Sequence, residues 1–153
     1  MSENTKTLVP APGPAYRLLD IFIGTWHTTG SMKTGDDGDD IPIVGTDSYE
    51  WFPGGFFLIH KANVLIGTER KQSMEIISFD AAANRYPMHF FDNQGESGTM
   101  YASEHHGIWT FISDNLRFTG AFSEDAKTLS GIWEQNLNDS WAFLMDIKLE
   151  RQC

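Results

Sequence analysis

From residue 24 onward, apolar and polar side chains alternate with a period of two, the mark of strands buried on one face. The alternating segments are rich in Val, Ile, Phe, Tyr, Trp and Thr. They are punctuated by turn residues such as Pro53-Gly54-Gly55, Asp92-Asn93-Gln94-Gly95 and the stretch from Asn136 to Asp139. They predict about ten strands, at 25–33, 43–52, 55–66, 71–79, 85–91, 97–103, 107–113, 115–122, 127–136 and 140–151. Short connections make successive strands antiparallel. A run of hairpins with no long helix between them is expected to close as an up-and-down barrel, which has no exposed edge. The expected fold class is therefore all-β, an antiparallel barrel preceded by a short N-terminal helical turn. That turn covers residues 15–23, where Leu18, Leu19, Phe22 and Ile23 recur at helical spacing until Gly24 stops them. Before it, Pro10, Pro12, Gly13 and Pro14 mark residues 1–14 as an extended arm and leave 15–153 as the barrel domain.

Facing follows from the alternation when charged residues are taken to mark the outside. In the last strand Trp141, Phe143, Met145, Ile147 and Leu149 share one face, opposite Asp146, Lys148 and Glu150. Lys61 outside puts Phe56, Leu58, His60, Ala62 and Val64 inside. Arg85 takes His89 outward with it and leaves Tyr86, Met88 and Phe90 inside. Arg117 leaves Leu116, Phe118 and Phe122 inside, Glu134 leaves Trp133 and Gln135, and Met74 of the fourth strand is counted with the interior. The facing of Tyr49 and Tyr101 stays ambiguous. A barrel of about eight to ten strands is wide enough to be filled by side chains or to hold one small ligand. If the first and last strands pair to close it, Trp26 lies beside Arg151, whose parity is inward. A guanidinium on an indole face would plug that end and leave the mouth at the other.

Gly24-Thr25-Trp26 after a helical turn, with Gly30 following, resembles the Gly-x-Trp entry of the calycin superfamily of lipocalins, fatty-acid-binding proteins and nitrobindins. Arg151 matches that group's basic residue packed across the tryptophan. The chain is most similar to a bacterial lipocalin-like domain family of unknown function. The resemblance is carried by Trp51-Phe52-Pro53-Gly54-Gly55-Phe56-Phe57, Ser78-Phe79-Asp80 with Tyr86, Phe91-Asp92-Asn93 with Gly95, and Gly131-Ile132-Trp133-Glu134, over about residues 16–151. The resemblance implies a calycin-like barrel, in a superfamily that hosts binders, carriers and a few enzymes. Nitrobindin-like proteins are implied to hold haem through a histidine near the C-terminal strand. This sequence departs there, since no histidine follows His106.

Charge narrows the partners. Among 153 residues, 21 Asp+Glu stand against 11 Lys+Arg, for a formal charge of −10 and a pI near 4.7. The basic residues are scattered, with Arg70-Lys71 the only adjacent pair, which argues against nucleic acid and an acidic membrane surface. No segment approaches the roughly 18 apolar residues of a membrane helix, and residues 1–15 lack the pattern of a signal peptide. The expected location is the cytoplasm. Cys153, the single cysteine, allows no intrachain disulfide. No Gly-rich phosphate loop precedes a helix, and no cofactor is expected.

His60 is the leading candidate for polar chemistry, because an imidazole among Phe56, Leu58, Ala62 and Val64 could have its pKa tuned for acid–base work. The alternative is a hydrogen-bonded core histidine that only fixes packing. Tyr86 is the second catalytic candidate, and Tyr86 and Gln135 could orient a ligand from other strands. His105-His106 with Glu104 is at most a surface site, and no structural metal site is expected. The run Gly35-Asp36-Asp37-Gly38-Asp39-Asp40 fails the calcium-loop order and reads as a solvated hairpin tip. The leading function is the binding of a small apolar or aromatic molecule inside the barrel by His60, Leu58, Met74, Tyr86, Met88, Phe90, Phe118, Trp133, Gln135, Phe143 and Met145. The alternative is a cofactor-independent isomerase, cyclase or lyase with His60 or Tyr86 moving a proton. Phe57, Ile59 and Phe91 have outward parity and could form a homodimer patch, an idea that a monomer at all micromolar concentrations in sedimentation would sink.

Overall fold

The computed structural model describes residues 11–33 and 40–153. A short helix, α1 (Pro14–Arg17), runs into a 3₁₀ turn (Leu18–Phe22). Ten strands follow: β1 (Gly24–Met32), β2 (Ile41–Trp51), β3 (Leu58–Ile66), β4 (Glu69–Ile77), β5 (Tyr86–Asp92), β6 (Ser97–His105), β7 (Ile108–Ile112), β8 (Leu116–Phe122), β9 (Thr128–Leu137) and β10 (Ser140–Arg151). Each pairs antiparallel with its chain neighbours, and β1 pairs with β10, so the sheet is a closed up-and-down barrel. The all-β reading and the strand order both hold. Residues 1–10 of the expected arm and residues 34–39 of the acidic loop lie outside the described residues. No helix among those described is long and apolar enough to cross a membrane.

Pro14 sits at the start of α1, where its missing N–H leaves no donor unsatisfied. Leu19 and Phe22 of the turn are buried and cap one end of the barrel, Phe22 packing against Tyr49, Trp109, Phe111 and Phe122. Trp26 is fully buried just above and donates its indole N–H to the Phe22 carbonyl at 2.8 Å. The expected closure is present in register, Trp26 opposite Arg151. The Arg151 guanidinium lies 4.1 Å from the Trp26 ring centroid. It donates to the carbonyls of Ile23, of Ile21 at 2.7 Å and of Ala126 at 3.2 Å. One side chain thereby ties together the 3₁₀ turn, the approach to β1 and the turn before β9.

The outer face also carries paired charge. Arg117 donates to Glu134 at 2.7 and 2.9 Å and lies over the Trp141 ring at 4.6 Å. Arg85 lies 3.6 Å from the Tyr101 centroid, which fixes Tyr101 outward. Phe57 and Phe91 are exposed, as their parity requires.

Candidate functional site

The plugged end makes the barrel a cup. Inside it is a cavity of about 490 Å³, whose walls rise to Ile66, Lys71, Asp92, Glu96 and Asn115 at the end opposite Trp26. Glu96 and Asn115 are exposed, so the cavity reaches solvent there. Its two sides differ in chemistry. In a ring of ten strands, β2–β4 stand across from β7–β9. The register places Phe111, Phe118 and Trp133 in one row on β7, β8 and β9. Phe111 stacks on Phe118 at 4.9 Å, and Phe118 meets Trp133 at 5.3 Å. The opposite wall is ionic.

On that wall the register sets Tyr49, His60 and Glu75 side by side, with Asp47 one inward position along β2 from Tyr49. His60 lies 2.7 Å through Nε2 from Asp47 Oδ1 and 2.6 Å through Nδ1 from Glu75 Oε1. Its ring stacks on that of Tyr49 with centroids 4.1 Å apart and planes 2° from parallel. Thr28 of β1 donates its hydroxyl to Asp47 Oδ2. Burial by itself lowers the His60 pKa, but the hydrogen bonds and charges of Asp47 and Glu75 outweigh it and push the value up to about 10. His60 is therefore an imidazolium at neutral pH, with both N–H groups donated. Burial, then Asp47 and Glu75, hold the Tyr49 hydroxyl well above its ordinary range and keep it protonated. At the rim, Lys71 donates to Asp92 at 2.8 Å, and this bond, with backbone N–H donors, lowers the Asp92 carboxyl to about 2.

Of the residues expected to line a pocket, His60, Met88, Phe90, Phe118, Trp133 and Met145 do so. Met74 does not. It is 38% exposed on the outer face, in register with Lys61 and Phe91, because the inward residues of β4 are Lys71, Ser73 and Glu75. Phe143, 43% exposed, is also outside. A bulge between Phe143 and Met145 reverses the parity of the start of β10, pairing Phe143 with Glu134 and turning Trp141 toward Arg117. Leu58 and Tyr86 are buried in the closed-end core rather than on the cavity wall. The Tyr86 hydroxyl is engaged, donating to the Ala15 carbonyl at 2.5 Å. Gln135 shares the inward parity of Trp133, yet the cavity stops short of it at Leu116. Phe56 sits in the turn before β3 and packs on Tyr16. His105 and His106 meet edge to face at a tight turn, with ring centroids 4.2 Å apart, and no described cluster of three or more His, Cys, Asp or Glu side chains is arranged to hold a metal ion. Asp47, Glu75, Thr28 and Tyr49 are the site residues that pattern reading missed or left unassigned. The only signal for them was the alternation of β1, β2 and β4 itself, with no charge excluded from the interior.

Glycine shapes the aromatic wall. Gly120 and Gly131 are cross-strand partners, and the Phe118 ring occupies the space a Cβ on either would need. A Cβ on Gly120 would stand 2.5 Å from Phe118 Cζ and 2.6 Å from the Ser130 carbonyl oxygen. Gly120→Ala is expected to lose about 1–3 kcal/mol of stability in urea unfolding, since the ring must leave its place. An unchanged midpoint would show that the wall yields freely.

The sequence pattern of the family described as "Protein of unknown function (DUF1579)" matches residues 11–130. No curated protein matches the chain. Among solved structures, that of Rv2717c from M. tuberculosis is similar at a TM-score of 0.68 and 11% identity, covering 92% of this chain and 99% of the other. At that identity the likeness bears on the barrel fold and its ten-strand closure. The sequence match, over more than half of the chain, places it in a defined group: it belongs to the DUF1579 family of proteins of unknown function.

Proposed function

We propose that the protein is a calycin-like binding module that takes a small apolar or aromatic molecule into the barrel through the end opposite Trp26 and Arg151. One observation carries the reading. A cavity of about 490 Å³ with an aromatic wall on β7–β9 and a buried polar cluster on β2–β4 has the size and mixed lining of small-molecule sites. The apolar body of a ligand would rest on Phe111, Phe118 and Trp133, and its polar end on the opposite wall. A proton-transfer enzyme is the weaker reading, because the Tyr86 hydroxyl and both His60 nitrogens are engaged.

The neutral fluorophore prodan tests it. Saturable, blue-shifted emission is expected with the native chain. Ala62 lies on the cavity wall, and Ala62→Phe, which fills the cup from that side, should weaken binding at least about tenfold. Absence of saturable binding, or equal affinity in the filled variant, would overturn the proposal.

A further inference from the structure

The charge on the cavity wall selects among apolar ligands, an inference that rests on the binding reading above. Asp47, Glu75, Asp92 and Glu96 line the cavity against only His60 and Lys71 as cations. Both cations are committed. His60 gives its two N–H groups to Asp47 and Glu75, and Lys71 donates to Asp92 at 2.8 Å. Among the described residues the wall thus holds no unengaged cation for a ligand carboxylate, which would enter a confined space beside other carboxylates.

An ammonium group meets the opposite situation. Glu75 accepts from His60 through Oε1, and no described residue donates to its Oε2. It stands between His60 of β3 and Phe90 of β5 on the cavity wall. A cation at that oxygen would form a charge-assisted hydrogen bond. The Tyr49 face is already covered by the His60 ring, so the carboxylate is the stronger attraction on this side. From Glu75 to Lys71 at the rim is four residues along one strand, roughly 13 Å at the usual rise. A head group at Glu75 therefore leaves room for a ring or a short chain reaching the mouth. We propose that the cavity takes an apolar or aromatic amine, bound as its ammonium ion with Glu75 as the anchor, and that it discriminates against fatty acids and other apolar carboxylates.

The test is calorimetry of the full chain at neutral pH with phenylbutylamine, phenylbutanol and phenylbutyrate, which share one skeleton and differ in head-group charge. The amine is expected to bind at least about tenfold more tightly than the alcohol, with the carboxylate weakest. Glu75→Gln should bring the amine to within about threefold of the alcohol. The first comparison uses the unaltered chain, so the outcome stands whether or not the variant folds. An amine no tighter than the alcohol, or a carboxylate that binds best, overturns the amine assignment and leaves the cavity a binding site. Failure of all three where prodan still binds also overturns it. Failure of prodan as well overturns the binding reading itself.

Discussion

His60→Leu is expected to cost about 3–5 kcal/mol of folding stability at neutral pH, because it leaves Asp47 and Glu75 in the barrel interior without the cation that joins them. The dependence on pH identifies the cause. The unfolded chain releases the imidazole proton near about pH 6.5, whereas the folded chain retains it up to about 10. Through that window the native state binds the extra proton, so raising the pH favours unfolding. The cluster's contribution is complete below about pH 6.5 and is lost as pH climbs to about 10, with a slope on the order of 1 kcal/mol per unit. Tyr49, whose pKa is also raised, acts in the same direction above about pH 10. Urea unfolding of the native chain and of His60→Leu across this range should show a large gap at neutral pH that narrows toward alkaline pH. A gap that stays constant from neutral to alkaline pH would mean that His60 acts by packing alone.

The same cluster shows where pattern reading succeeds and where it fails. Strand number, order and closure are legible because alternation and turn residues are local, and the pairing of Trp26 with Arg151 follows from closure alone. Facing is legible wherever the charges lie on the outer face, as with Lys61 in solvent and the Arg117–Glu134 pair outside the barrel. It fails on β4, where Arg70 faces outward while Lys71 and Glu75 face inward, so charge cannot distinguish the two sides. Taking charge as the mark of the exterior placed Met74 inside and passed over Asp47 and Glu75. The rule expresses the cost of burying an unpaired ion, and it lapses where ions are paired across strands inside the barrel, as Asp47 and Glu75 are through His60. That pairing depends on register, which alternation within one strand does not contain. The bulge in β10 is a second non-local feature. One unpaired residue, Leu144, returns Phe143 and Trp141 to the surface, and nothing in the apolar period of that strand announces it.

At the other end of the cup, Arg151→Met is expected to cost about 3 kcal/mol or more. Methionine preserves an apolar stem but removes the donors to the carbonyls of Ile21, Ile23 and Ala126. It also removes the charge above Trp26, a contact worth about 0.5–2 kcal/mol. Arg151→Lys should recover less than half of the loss, because a single ammonium cannot spread along three carbonyls and a ring face as the guanidinium fork does. The damage should also be local at first. The 3₁₀ turn Leu18–Phe22 is bound to the barrel by this side chain, by the indole N–H of Trp26 and by the burial of Leu19 and Phe22. Hydrogen exchange in the variant should therefore rise first over residues 14–23 and the start of β1, while β6–β8 keep their protection. A uniform rise across all ten strands would show instead that the plug is inseparable from the closure of the barrel. The closed end would then depend on the whole sheet rather than on one arginine.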